Sequence, residues 1–132
     1  MTDADGASRE QPIVLAADDD EDILALVAFR LTRSGYTVLQ ARDGEEALEL
    51  ARREKPDLAV LDVMMPKLDG FELTRRLRAD EATSRMPIIL LTARAQDTDL
   101  IRGFDVGADD YIRKPFSPQE LSIRVNAILG RR

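Results

Sequence analysis

Polar side chains follow four short apolar runs of this sequence, at points where a buried strand has no structural need of them. Runs that begin at Ile13, Leu58 and Ile88 lead into acidic or hydroxyl side chains, and a fourth run leads into a lysine. The polar residues are Asp18, Asp19, Asp62, Thr92 and Lys114. If the runs are parallel strands of one sheet, these side chains meet at its carboxyl edge, where open α/β sheets bind ligands. The sequence therefore predicts a ligand site at that edge.

Three carboxylates in one small space repel one another unless a cation lies among them or some of them stay protonated. Mg²⁺ suits such a site, because it prefers oxygen ligands, keeps several waters and accepts phosphate oxygens of a substrate. The 132 residues include no cysteine and no histidine, which excludes thiol chemistry, a histidine base and the usual zinc ligands. The predicted chemistry therefore depends on a hard cation and runs on carboxylates, hydroxyls and amines.

Strand-like and helix-like segments alternate five times from Pro12 onward. The predicted strands are Ile13–Ala17, Tyr36–Gln40, Leu58–Leu61, Ile88–Leu91 and Asp110–Arg113. The predicted helices are one from the Asp20 cap to before Gly35, then Gly44–Glu54, Phe71–Arg78, Thr98–Val106 and one that opens at Ser117. Alternation of this kind indicates parallel βαβ units in a three-layer α/β fold, with the continuously apolar first, third and fourth strands inside. It leaves the strand order open.

Length and composition indicate one folded domain. With 44% hydrophobic residues, 132 residues can bury one core. Residues 1–11 are polar and small, so we expect a disordered tail followed by a domain over 12–132. A net charge of −6 argues against direct nucleic-acid binding by this domain. Without a membrane-length apolar stretch or a signal-peptide layout, we expect a cytoplasmic protein with no membrane contact.

The strand-end motifs together resemble the response-regulator receiver domains of two-component signalling, most of all receivers attached to winged-helix DNA-binding output domains. The motifs are Asp18-Asp19, Leu61-Asp62-Val63-Met64-Met65-Pro66 with Asp69-Gly70, Leu91-Thr92-Ala93 and Tyr111-Ile112-Arg113-Lys114-Pro115-Phe116. They occur in the expected order and spacing from about residue 12 to residue 132. The resemblance implies a (βα)5 doubly wound parallel sheet with the flavodoxin-like strand order 2-1-3-4-5.

The resemblance also implies a phosphoryl-transfer role for the site. Asp62 would accept a phosphoryl group from a sensor histidine kinase, a phosphotransfer protein or a small phosphodonor, forming an aspartyl phosphate. Lys114 would pair first with Asp62 and then with a phosphoryl oxygen, while the Thr92 hydroxyl would donate to another oxygen. The peptide bond between Lys114 and Pro115 would be cis.

In such receivers the cation is held by a defined set of ligands. Asp19, Asp62 and the backbone carbonyl of Met64 would bind Mg²⁺ directly, with Mn²⁺ as a possible substitute, and Asp18 would hold it through water. Met64 and Arg94 occupy two positions that tune hydrolysis of the acyl phosphate within the family. Neither side chain activates water, so we expect a fairly long-lived phosphorylated state.

Tyr111 has two interpretations. One makes it a β-former on an outer strand with its hydroxyl in water, and the other a switch aromatic that turns inward when Thr92 is drawn to the phosphoryl group; both can hold in different states. The switch would change the face formed by the fourth predicted helix, the fifth strand and the fifth helix, and we expect this face to form a symmetric homodimer on phosphorylation. The candidate interface residues are Asp105, Asp109, Asp110, Arg113, Arg124 and Arg131.

Two enzyme-like or binding alternatives share parts of the pattern. A magnesium-dependent phosphohydrolase of the haloacid-dehalogenase type needs an aspartate two residues after its nucleophile, where this chain has Met64. A nucleotide- or flavin-binding domain would need a Gly-x-Gly-x-x-Gly or Walker-type loop, and none follows the first strand. We therefore expect a signalling domain that phosphorylates and dephosphorylates its own aspartate, not a multiple-turnover metabolic enzyme. The sequence is compatible with a stand-alone regulator and with a truncated receiver, and the end at Arg131-Arg132 favours the second.

Overall fold

A parallel sheet of five strands carries helices on both faces in the computed structural model, which describes residues 11–93, 101–102 and 104–130. The strands are β1 (Ile13–Ala17), β2 (Thr37–Ala41), β3 (Leu58–Asp62), β4 (Ile88–Thr92) and β5 (Asp110–Arg113). Every neighbouring pair is parallel, and the strand order is β2-β1-β3-β4-β5. The predicted α/β fold and its strand order are confirmed.

Four helices each begin after a side chain that accepts hydrogen bonds from the backbone of the first turn. The helices are α1 (Glu21–Arg33), α2 (Gly44–Glu54), α3 (Gly70–Ala79) and the C-terminal helix (Pro118–Leu129). Their caps are Asp20, Asp43, Asp69 and Ser117. Of the helix predicted at Thr98–Val106, the structure shows helical backbone at 101–102 and 104–105, and its start lies outside the described residues.

Two apolar clusters lie on opposite faces of the sheet. Successive side chains of a strand point to opposite faces, so Leu15 joins one cluster and Val14 the other. One cluster packs the strands against α2 and α3, and the second packs them against α1 and the C-terminal helix. Because both faces are covered, β3 and β4 are buried along their whole length, as predicted.

A polar seam joins α1 to the C-terminal helix. Arg30 interrupts the apolar stripe of α1, and its Nε donates a 2.7 Å hydrogen bond to Ser122 Oγ, a side chain that is 5% exposed. The Tyr36 hydroxyl donates to Asn126 Oδ1 on the same helix. These polar groups therefore satisfy one another where the two helices meet.

The chain before β1 is described only from Gln11 onward. Gln11 is exposed, and its side-chain oxygen accepts a 3.2 Å hydrogen bond from Thr37 Oγ1. The rest of the predicted tail, residues 1–10, lies outside the described residues. Within the described part of the chain, no helix is both long enough and apolar enough to span a bilayer.

Candidate functional site

Three aspartates meet at the carboxyl ends of two neighbouring strands. Asp18 and Asp19 follow β1, and Asp62 is the last residue of β3. The strands are parallel, with Ala17 opposite Leu61, so the register brings their ends together. One carboxylate oxygen from each aspartate lies within 4.8 Å of the other two. The structure thus joins the three carboxylates that the sequence placed at one edge.

Lys114 bridges two of these carboxylates. Its Nζ lies 2.9 Å from Asp18 Oδ2 and 3.0 Å from Asp62 Oδ1. Both aspartates are buried, at 2% and 4% exposure. The Lys114 backbone N–H donates to the Thr92 carbonyl at 2.6 Å, and the bond to Pro115 is cis, as the resemblance implied. The sequence had paired Lys114 with Asp62 alone, so its contact with Asp18 is an additional finding.

Burial sets the protonation of the site. It raises the pKa of Asp62 from 3.8 to about 6; the Lys114 hydrogen bond opposes this rise, and the charges of Asp18 and Asp19 add to it. Burial by itself would lower the pKa of Lys114, but hydrogen bonds to Asp18 and Asp62 outweigh it, and the pKa of Lys114 is raised. One ammonium therefore faces three carboxyl groups, and the unbalanced negative charge favours a divalent cation.

Thr92 lies at the same edge as the aspartates. It is the last residue of β4 and is 2% exposed. Because Asp62 lies opposite Leu91 in the register, Thr92 is one residue further along the neighbouring strand. Met64 follows in the loop after β3 with a 63% exposed side chain. Thr92 and Met64 both line a cavity of about 180 Å³ at this edge.

Tyr111 points inward in this structure. It is 9% exposed and belongs to the cluster that packs against α2 and α3. Its ring centroid lies 6.4 Å from that of Phe104. The Tyr111 hydroxyl oxygen is buried, so the interpretation that places it in water does not describe this conformation. The switch interpretation assigns this inward orientation to the phosphorylated state, and it stays a prediction.

The candidate interface residues differ in what they contact. Arg124 Nη1 lies 2.9 Å from both carboxylate oxygens of Asp110 in the same chain. Asp105 and Arg113 are exposed, and Arg131 lies outside the described residues. Two of the candidate interface residues, Asp110 and Arg124, are thus paired with each other within one chain.

Arg78 on α3 is a structural residue that the sequence did not single out. Its guanidinium donates to the carbonyls of Gly107 at 2.9 Å and Met86 at 2.6 Å, and to Asp109 Oδ2 at 2.9 Å. Asp109 Oδ2 also accepts the Ile88 N–H at 2.8 Å. Asp109, predicted as an interface residue, therefore ties α3 to the loops before β4 and β5.

Comparison with known sequences identifies the family. The sequence model of the response regulator receiver domain family matches residues 14–126 of this chain. The chain is 52% identical over 118 residues to the alkaline phosphatase synthesis transcriptional regulatory protein PhoP of Bacillus subtilis, covering 89% of this chain and 48% of PhoP. It is 49% identical over 120 residues to the DNA-binding dual master transcriptional regulator RpaA of Synechocystis, covering 91% and 50%. The chain spans about half the length of these curated relatives.

Solved structures agree with the sequence comparison. A putative response regulator from Chloroflexus aurantiacus superposes with a TM-score of 0.86 at 40% identity, covering 92% of this chain and 99% of that one. The receiver domain of the sensor histidine kinase PA1611 from Pseudomonas aeruginosa, with a magnesium ion coordinated in its active-site cleft, gives 0.84 at 33% identity, covering 91% and 98%. The identification made from the strand-end motifs is confirmed, and the chain belongs to the family of response regulator receiver domains, the phosphorylated signalling modules of two-component systems.

Proposed function

We propose that this chain is a phosphorylation-activated switch whose phosphoacceptor is Asp62. The observation that carries the proposal is the unequal engagement of two buried carboxylates. Asp18 accepts the Asp20 N–H on one oxygen and Lys114 on the other. Asp62 accepts Lys114 on Oδ1, and within the described residues no hydrogen bond reaches its Oδ2. Asp62 therefore keeps an oxygen that can act as a nucleophile.

The transfer step forms one bond and breaks one. A carboxylate oxygen of Asp62 attacks the phosphorus of a phosphohistidine or a small phosphodonor, and the leaving group departs with the electron pair of its bond to phosphorus. Lys114 stays protonated and moves its hydrogen bond from Asp62 to a phosphoryl oxygen, while the Thr92 hydroxyl donates to another. Neither residue exchanges a proton with the phosphoryl group.

The donor set fits Mg²⁺, with Mn²⁺ as a substitute. Asp19 and Asp62 are assigned as direct ligands together with the backbone carbonyl of Met64, and Asp18 is assigned to a bound water. The exposure of Asp19 supports this division, because both oxygens of buried Asp18 are already engaged within the chain. When bound, the cation neutralises charge on the transferring phosphoryl group.

The phosphorylated state is proposed to be long-lived. Hydrolysis needs a group that orients or activates water beside Asp62, and the exposed thioether of Met64 provides none. Arg94, the other residue expected to tune hydrolysis, lies outside the described residues. The chain would thus catalyse its own phosphorylation and a slow dephosphorylation.

A sensor histidine kinase or a phosphotransfer protein is the proposed donor. Beside Lys114 lies an apolar groove of about 330 Å³ whose lining includes Ile23, Leu26 and Phe116. A protein that brings a phosphohistidine to Asp62 must approach this edge of the sheet, and the groove offers it apolar surface to cover. We place the reaction in the cytoplasm, since the curated relatives are named as transcriptional regulators.

The proposed output is a change of the face around β5. Inward Tyr111 contacts the ring of Phe104, which is itself 53% exposed, as is Ile101 at 60%. Apolar side chains at these positions supply surface for a phosphorylation-dependent homodimer or for a partner. DNA binding would belong to an output domain, since this domain carries net negative charge.

Intact-mass analysis tests the phosphoacceptor. The protein is incubated with a small acyl phosphate and Mg²⁺, and again with excess EDTA. We expect one phosphoryl adduct in the wild type and in Asp105→Asn, an exposed control, and none in Asp62→Asn or without a divalent cation. An adduct on Asp62→Asn at wild-type yield would overturn the assignment.

A further inference from the structure

The loop between β3 and α3 is pinned to the start of α2. The Gly44 N–H donates to the Pro66 carbonyl at 3.2 Å. A methyl group at position 44 would overlap the carbonyl oxygen and Cβ of Leu68 and lie 2.8 Å from its carbonyl carbon. The obstacle includes backbone atoms, which cannot rotate away as a flexible side chain can. The start of α2 therefore reaches the loop this closely only with glycine at position 44.

The two ends of the loop are fixed as well. At the β3 end, the Gly70 N–H donates to the Val63 carbonyl at 2.8 Å, and a methyl at Gly70 would lie 2.6 Å from the Asp62 carbonyl oxygen. Further along, Leu68 is 8% exposed and packs in the cluster with α2. The segment between Val63 and Leu68 is thus held against two helix starts, with little room to shift by itself.

Lys67 gives a further contact between the loop and the start of α2. Lys67 has a φ of 73°, in the left-handed region that few residues other than glycine adopt. Its Nζ lies 3.7 Å from Oδ2 of Asp43, the cap of α2. The loop thus adopts a conformation that is unfavourable for an isolated lysine and that the surrounding contacts impose.

We infer that Gly44 is a positioning residue for the cation site. It acts through Pro66 and Leu68, which fix the course of the loop and so the place of the Met64 carbonyl. The inference rests on the proposed function, because it takes that carbonyl as a cation ligand. A side chain at position 44 would push the loop away from α2 and displace the carbonyl without altering any of the three aspartates.

The test is a Mg²⁺ titration of Gly44→Ala followed by amide NMR. We expect the affinity of the folded variant for Mg²⁺ to fall about 10–100-fold, as when groups that orient a ligand are changed. In EDTA, the amide signals of Met64, Met65 and Lys67 should already be shifted. Phosphorylation by a small acyl phosphate should recover most of its rate at saturating Mg²⁺, because Asp62 and Lys114 are unchanged.

Control variants separate positioning from a general loss of stability. Val27→Ala truncates a buried side chain of α1 on the opposite face of the sheet, and it should unfold more easily while keeping wild-type Mg²⁺ affinity. Gly130→Ala strains a left-handed backbone position (φ 71°) at the end of the C-terminal helix but meets no neighbour within 4 Å of the added Cβ, so it should also bind Mg²⁺ normally. If Gly44→Ala does not fold, Leu68→Ala loosens the same contact and should weaken binding several-fold.

The outcomes distinguish the inference from the proposed function. Wild-type Mg²⁺ affinity in folded Gly44→Ala, or in Leu68→Ala if the first does not fold, would overturn the positioning role alone. An equal loss of affinity in Val27→Ala would also overturn it. A wild-type protein that does not bind Mg²⁺ at the aspartates would overturn both. A loss confined to the loop variants supports the inference.

Discussion

Arg124 and Asp110 form an ion pair within one chain, with Nη1 of the arginine 2.9 Å from each carboxylate oxygen. This hydrogen bond is the main reason that the pKa of Arg124 is raised. In a symmetric dimer, Asp110 of one chain meets Arg124 of the other only after the pair within each chain opens. The exchange replaces one ion pair with another, so it selects the geometry of the dimer and adds little free energy.

We therefore predict a weak dimer that depends on phosphorylation and on Arg124. Light scattering at matched concentrations should show a larger species only for the phosphorylated wild type. Arg124→Glu should stay monomeric, because two acidic side chains then face each other at this surface. Arg85→Glu, a change at an exposed arginine that belongs neither to β5 nor to the C-terminal helix, should behave as the wild type. Dimerisation of Arg124→Glu would reject this face, and a fully phosphorylated wild type that stays monomeric would favour a partner-binding regulator.

Replacing Asp19 should weaken Mg²⁺ binding more than replacing Asp18. Asp19 is exposed beside the cluster, whereas both oxygens of Asp18 are held by Asp20 and Lys114. A direct ligand contributes more to affinity than a group that acts through water. Calorimetric or NMR titration of Asp19→Asn and Asp18→Asn measures the difference. Equal losses would contradict the assignment of Asp19 to direct coordination and of Asp18 to a bound water.

In EDTA, the folded protein should become less stable as the pH rises through about 6. Burial raises the pKa of Asp62 from 3.8, its value in an unfolded chain, to about 6. The folded chain therefore holds this proton more tightly than the unfolded chain. The resulting stabilisation is complete below pH 3.8 and is lost as the pH rises through the folded-state value. Asp62→Asn lacks this titration, so its stability should fall less over the same range. Urea unfolding followed by circular dichroism at each pH gives the free energy of unfolding of both proteins. The same dependence of this free energy on pH in the wild type and in Asp62→Asn would refute the prediction.

Arg78→Ala should lower the free energy of unfolding by about 2–4 kcal/mol, since it leaves several acceptors without their charged donor. These acceptors include the carbonyls of Gly107 and Met86 and the carboxylate of Asp109, which also accepts the Ile88 N–H. Denaturant unfolding measures the change. Arg85→Ala, which removes an exposed arginine, should cost less than about 0.5 kcal/mol. A similar small loss for Arg78→Ala would show that water replaces its contacts.

Local patterns predicted the strands, the described helices and the convergence of the aspartates. The bounds of α2 agree with the prediction, because Asp43 caps its start and Lys55 ends it in a left-handed conformation. β2 is shifted by one residue, to Thr37–Ala41, because the Tyr36 N–H donates to the Leu31 carbonyl of α1 and not to β1. Periodicity and capping are local properties, and they are visible in one segment at a time.

Contacts between distant segments could not be predicted in this way. Arg30 was visible only as a break in an apolar stripe, since its partner Ser122 lies 92 residues away. Lys114 was assigned to Asp62, and its second contact with Asp18 depends on where the loop after β5 lies. Side-chain partners of this kind follow from tertiary packing and have no signature in the spacing of the residues.

The two apolar clusters divide neighbouring residues of β5 between the two faces of the sheet. Tyr111 packs on the side of α2 and α3, whereas the adjacent Ile112 packs on the side of α1 and the C-terminal helix. In the proposed switch, a rotation of Tyr111 repacks the layer with α2 and α3, while the layer with α1 and the C-terminal helix keeps the strand ends in place. We therefore expect substitutions in the first layer to change the balance between the two states of the switch, and substitutions in the second layer to change mainly the thermal stability of the domain.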